Sequence, residues 1–175
     1  MLTLVLAAGL PLLAAAQGEW QLQQGTVTYH VTHPLHDTVG VSHAARGEGI
    51  CHAGVCNFLV AAPVKSFDSG DSNRDLHMLQ ATRGAEFPMI AVRTELPETQ
   101  LREPIIRADL QVQFAGQTVE YRQVPFQSSA EGNNIRIIGT IPTKLSDFKI
   151  DPPSLLGIAV KNDAPIQVEM TWKPQ

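Results

Sequence analysis

An all-β antiparallel architecture, a barrel or a sandwich with one short helix set into it, is what the 175-residue sequence predicts. Apolar and polar residues alternate along much of the chain, which is the period of a half-buried strand. Turn residues separate these runs often enough for about eight or nine strands and leave no room for βαβ crossovers. Only one interval, Val64 to Pro88, breaks the pattern.

The first sixteen residues, MLTLVLAAGLPLLAAA, carry no charged side chain. The run falls short of the roughly 20 apolar residues of a membrane-spanning helix. Ala14 and Ala16 precede Gln17 in a cleavage pattern, so residues 1–16 are expected to be a secretory signal and 17–175 a single mature domain.

Trp20 opens the first mature strand. From Thr26 to Thr32, Val27, Tyr29 and Val31 share one face and Thr26, Thr28, His30 and Thr32 the other. A second strand is expected near Val39 to Ala45. Cys51 and Cys56 then flank His-Ala-Gly-Val. With Ala53-Gly54 as a two-residue turn, Cys51 faces Cys56 in a non-hydrogen-bonded pair, whose short Cα separation a disulfide can span. Closing so small a loop stabilises by about 2 kcal/mol, chiefly by restricting the unfolded chain. A redox pair, or thiolates joined by His52 around a metal, are the competing readings, although the spacing is neither C-x-x-C nor C-x-x-C-H.

A strand at Asn57 to Ala62 leads into the irregular interval. Asp71 or Ser72 is positioned to cap a helix with Arg74 and Asp75 in its first turn and with Leu76, Leu79 and Gln80 on one face. Gly84 is expected to end it, and Pro88 keeps it from resuming. Arg74-Asp75 reads as an ion pair that ties the helix to its surroundings, in preference to a ligand contact.

Beyond Pro88, strands are expected at Met89 to Thr94 and at Asp109 to Phe114, where Leu110, Val112 and Phe114 alternate with Asp109, Gln111 and Gln113. Gly116-Gln117 reverses the chain into Val119 and Tyr121, with Thr118, Glu120 and Arg122 outward. Ile135 to Ile141 and Ile166 to Trp172 complete the set. Between them, Leu145 to Phe148 is expected to form a short helix limited by Pro152-Pro153.

A net charge of −4, with the basic residues scattered singly, leaves no electrostatic footprint for nucleic acid. Neither a G-x-S-x-G elbow nor an H-E-x-x-H helix occurs, so no enzyme and no cofactor is expected. His30, His33, His36 and His43 fall within fourteen residues, with His52 nearby, which makes a surface metal site the sharpest chemical alternative. Strand geometry opposes it, because residues three apart point to opposite faces.

The break of Ser, Asp and Gly, then Arg74-Asp75-x-His77, then a short run to Phe87-Pro88, resembles the corresponding segment of the YceI-like family. The closing segment resembles that family too: Gly139-Thr-Ile-Pro, Lys144-Leu145-Ser146-Asp147-Phe148, Pro152-Pro153 and a last alternating strand. With Trp20, the match covers nearly all of residues 19–172. The resemblance implies a periplasmic or secreted, eight-stranded, lipocalin-like barrel whose lumen holds an isoprenoid or other long-chain amphiphile, with no transmembrane segment in the mature chain; a homodimer is compatible with it. The expected lumen lining is Val27, Tyr29, Val31, Phe67, Leu76, Leu79, Leu110, Val112, Phe114, Tyr121, Ile135 and Ile137. Arg74, Asp75 and His77 are expected to anchor the helix as a lid on the rim. The chain departs from the family pattern in its cysteine hairpin, in its histidine-rich start, and in Ala81 to Ala85, which replace an aromatic doublet. A structural or interaction barrel with a packed core, or a metal-binding protein using His30 to His52, are the rival functions. An unfilled lumen separates the carrier from the packed barrel.

Overall fold

The computed structural model describes residues 18–155 and 157–175, so the expected signal lies outside the described residues. The strands are β1 (Gly18–His33), β2 (His36–Ser42), β3 (Arg46–His52), β4 (Val55–Pro63), β5 (Met89–Pro97), β6 (Ile105–Phe114), β7 (Gln117–Glu131), β8 (Asn134–Ile141), β9 (Ser154–Leu155), β10 (Ile158–Ala159) and β11 (Ile166–Pro174). One α-helix, α1, spans Ser72–Ala81. Among the described residues no helix is long and apolar enough to cross a membrane.

Eight strands close on themselves in the order β1-β3-β4-β5-β6-β7-β8-β11, with β11 pairing back to β1. Every pairing is antiparallel, and closure leaves the barrel proper with no free edge. β1 has sixteen residues and outruns the barrel. Its first residues, Gly18 to Gln21, pair with β3, whereas Val27 to His33 pair with β2 on the same edge. Alternation is cleanest in β6, where Ile106, Ala108, Leu110 and Val112 are buried and the residues between them are exposed.

Two boundaries differ from expectation. β2 ends at Ser42 rather than Ala45: Ser42 is its last paired residue, and the Ser42 hydroxyl bonds with Ser66 Oγ (2.6 Å) and accepts from the Ala44 N–H (3.2 Å), which turns the chain out of the strand. β3 starts at Arg46, and its first half, Arg-Gly-Glu-Gly, carries no alternation to announce it. Its glycines serve close approach: a Cβ at Gly47 would stand 2.8 Å from the Trp172 ring.

The cysteine hairpin forms as the spacing predicts. Ala53 and Gly54 both take positive φ (51° and 83°), the backbone of a type I′ turn, and His52 pairs with Val55. Cys51 and Cys56 are joined in a disulfide with Cα atoms 3.9 Å apart, and both are buried in the core.

Asp71 caps α1, its carboxylate accepting from the N–H groups of Asn73 (2.9 Å) and Arg74 (3.1 Å). These contacts hold its carboxyl below the usual carboxylate range, the Arg74 N–H bond first among the causes. At the other end the left-handed residue is Arg83 (φ 53°), not Gly84. Arg83 N–H donates to Gln80 O (3.1 Å) and Gly84 N–H to Leu79 O (2.7 Å), a Schellman closure. Gly84 is small for another reason, since a Cβ there would come within 2.8 Å of Leu79 and 3.3 Å of Val64. The Arg83 guanidinium donates to Ala115 O in the β6–β7 turn and lies 4.8 Å from the centre of the Phe87 ring. The helix is thereby latched across the barrel.

Candidate ligand cavity

Inward-facing side chains stack in rows set by strand register. Phe58, Thr94 and Leu110 form one row across β4, β5 and β6, and Val60, Val92 and Val112 form the next. On the opposite wall Ile135 faces Trp172 and Ile137 faces Met170. These rows do not fill the interior. They surround a cavity of about 260 Å³ whose wall is almost wholly apolar. Val60, Val92, Ile135, Ile137, Ile166 and Met170 point inward yet are only half-buried, because their inner ends border that space.

An eight-stranded barrel is just wide enough either to be filled by side chains or to hold one small ligand. Glycines decide which holds here. Tyr29 stands opposite Gly40, Phe58 opposite Gly49 and Phe126 opposite Gly139. A Cβ on any of these glycines would fall within 3.0 Å of the facing ring, closer than real Cβ atoms approach. Each ring therefore lies flat over a glycine backbone, against the wall rather than across the lumen. Phe58 also meets Trp172 edge-on at 5.0 Å. Aromatic bulk that would plug an ordinary barrel is laid along its sides.

One end of the cavity is closed by Leu96 and by Leu101 of the 3-10 turn Glu98–Arg102, near the disulfide. The other carries α1, Phe67 and the 3-10 turn Leu145–Phe148. Tyr29 packs on Phe67 at 5.7 Å and Phe114 on Phe148 at 5.2 Å.

At this lid end the Arg74-Asp75 pair acts through Ser69. Asp75 Oδ1 accepts from Ser69 N–H (3.0 Å) and Ser69 Oγ–H (2.6 Å), and Arg74 Nη2 donates to Ser69 O (2.8 Å). The Tyr29 hydroxyl at this end has its pKa raised by burial first and by the Asp75 charge second. The expected ion pair is corrected accordingly: among the described residues neither Arg74 nor Asp75 is in a salt bridge, because both spend their polar atoms on the Ser69 loop. His77 is exposed on the solvent side of α1.

Of the expected lining, Val27, Tyr29, Val31, Phe67, Leu110, Val112, Phe114, Ile135 and Ile137 all stand on the cavity wall. Leu76 does not; it is 52% exposed. The Asp71 cap fixes the phase of the helix so that Met78 and Thr82 face the lumen, and Leu76 is turned away. Leu79 is half-buried against Gly84, off the cavity wall. Tyr121 is also off the wall, held at the rim by its hydroxyl donating to Asp147 Oδ2 (2.7 Å); burial first, and then that hydrogen bond, raise its pKa. Phe58, Phe126, Phe148, Met170 and Trp172 line the cavity without having been singled out. Glycines placed opposite aromatics were the signal that would have found Phe58 and Phe126.

Among the described residues the histidines are not brought together. His33 is buried, with Nε2 3.0 Å from Ile158 O and Nδ1 accepting from the Leu35 N–H (3.1 Å). His43 Nδ1 bonds Thr26 Oγ1 (3.1 Å), and His52 lies at the hairpin turn. The His36 side chain lies outside the described residues. Among the described residues no three of His, Cys, Asp and Glu are grouped as a metal site.

No protein-family model and no curated protein matches the sequence. Solved structures do share its fold. Burkholderia cenocepacia BcnA superposes with a TM-score of 0.71 at 14% identity, over 84% of this chain and 95% of that one. A polyisoprenoid binding domain from Saccharophagus degradans, implicated in plant cell wall breakdown, gives 0.71 at 10% identity, over 89% and 98%. A Campylobacter jejuni YCEI protein aligns over 98% and 91% at 11% identity, with a TM-score of only 0.49. At such identities the likeness is one of fold, the closed antiparallel lipocalin-like barrel that the alternating strands and the resemblance led to expect.

Proposed function

We propose that this chain is an exported, non-enzymatic protein that carries or sequesters an isoprenoid lipid, or a similar long apolar amphiphile, in the barrel lumen. The observation that carries the reading is a hollow apolar interior kept open by rings folded onto glycines. Its volume of about 260 Å³ is well above the ~150 Å³ engineered cavity that takes up benzene. Each methylene moved from water into such a space contributes roughly 0.8 kcal/mol, so a prenyl chain binds tightly with no catalytic machinery. A ligand of several isoprene units exceeds the closed volume, and loading it displaces α1. That helix suits the task, having no fully buried residue of its own. The buried disulfide supports an oxidising compartment, periplasmic or extracellular. The Saccharophagus degradans domain of the same fold, named for polyisoprenoid binding, supports the ligand class.

Both tryptophans of the chain, Trp20 and Trp172, line the cavity, so intrinsic fluorescence reports on its contents. Titration with geranylgeraniol or a prenylated quinone is expected to change that fluorescence saturably at one ligand per chain. A flat titration across prenyl alcohols and quinones, with the protein shown to be folded, overturns the proposal.

A further inference from the structure

The polar groups around the cavity bear on the head group of its ligand, an inference that rests on the carrier reading above. The threonine hydroxyls of the wall are already spent. Thr82 Oγ1–H donates to Met78 O (2.8 Å), Thr94 Oγ1–H to Asp109 O (2.8 Å) and Thr143 Oγ1–H to Ala164 O. Among the described residues that line the cavity one is charged, Lys144, at the lid end beside Thr143 and Leu145.

Lys144 is exposed and takes part in none of the ion pairs found among the described residues. The carboxylate of its own turn, Asp147, is occupied by the Tyr121 hydroxyl and by the Lys144 backbone N–H (3.0 Å). Asp163 bridges Lys144 through the backbone and leaves its ammonium without an ion pair. An apolar cavity with an exposed lysine at its lid end complements a single-chain amphiphile whose anionic oxygen head sits at that mouth.

We propose that Lys144 binds the anionic head, phosphate or carboxylate, of the lumen ligand, with the tail running down past the Val60–Val92–Val112 row. Three probes test this on the intact chain by tryptophan fluorescence: geranylgeraniol, geranylgeranyl monophosphate and palmitate. Wild type is expected to bind at least one of the two anions roughly tenfold tighter than the neutral alcohol at low salt, with the advantage shrinking as salt rises. Lys144→Met removes that advantage and leaves the alcohol unchanged, and Lys144→Arg restores it. Which anion shows the dependence distinguishes a prenyl phosphate from a fatty acid. Equal binding of both anions by wild type and Lys144→Met, with the alcohol still bound, overturns the assignment of Lys144 alone. Absence of binding by all three probes overturns the carrier reading itself.

Discussion

Substituting Val92 with Phe separates a hollow barrel from a packed one. Val92 stands in mid-wall between Val60 and Val112, half-buried because its inner end borders the cavity. The phenylalanine side chain brings about four more carbons into that space. At roughly 0.8 kcal/mol per carbon of ligand displaced, prenyl binding weakens by about 3 kcal/mol, a factor of about two hundred. In a packed core the same change overpacks and costs about 1–3 kcal/mol of stability. In a cavity of about 260 Å³ it costs little or nothing. Urea unfolding and fluorescence titration on the same variant measure both quantities. Destabilisation by 1–3 kcal/mol with unchanged prenyl affinity would refute the reasoning, because it would mean that the lumen is full and that any ligand binds elsewhere.

Four further outcomes follow from the geometry. Gly139→Ala pushes the Phe126 ring off the wall and into the lumen, so it weakens prenyl binding tenfold or more, while the secondary structure read by far-UV circular dichroism stays unchanged. The double substitution Cys51→Ala and Cys56→Ala lowers stability to urea by about 2 kcal/mol, together with a smaller term for lost buried sulfur. Arg83→Ala removes the latch onto Ala115 and Phe87, and hydrogen exchange over residues 72–84 accelerates by more than tenfold while the strands keep their protection. Acid loosens the same element. The Asp71 carboxyl has a lowered folded pKa, so its capping contribution is complete above the unfolded value near 3.9 and is lost as pH falls through the folded one. Protection of the α1 amides is therefore flat from pH 7 to 5 and falls below about pH 4, and Asp71→Asn abolishes that dependence.

Much of this arrangement is legible in the sequence, and the part that is not has a physical cause. Alternation at Val27-Tyr29-Val31 and at Leu110-Val112-Phe114 identifies strands and the face each one buries. The Ala53-Gly54 turn fixes the register that joins Cys51 to Cys56, since a two-residue loop allows one pairing only. Closure of the barrel is not written locally, because it depends on β11 meeting β1 across almost the whole chain. The first half of β3 is silent for the opposite reason: Gly47 and Gly49 have no side chains to alternate, and their job is to receive Trp172 and Phe58. Helix phase at Leu76 is not legible in the sequence, because a ten-residue helix with no buried residue has too weak an apolar face to orient it. Its caps and the Ser69 clamp set the phase instead. Whether the lumen is open or filled leaves no mark on the alternation. The same apolar faces serve either state, and the difference lies in three rings turned onto three glycines.

A carrier of the proposed kind holds a lipid in its barrel interior. Organic extraction of the protein purified from its native host, followed by mass spectrometry, measures that directly. The expected result is a single-chain prenyl or similarly long apolar amphiphile at close to one per chain, depleted in the Val92→Phe variant. A protein that yields no lipid, and that takes up neither prenyl alcohols nor quinones in solution, contradicts the claim.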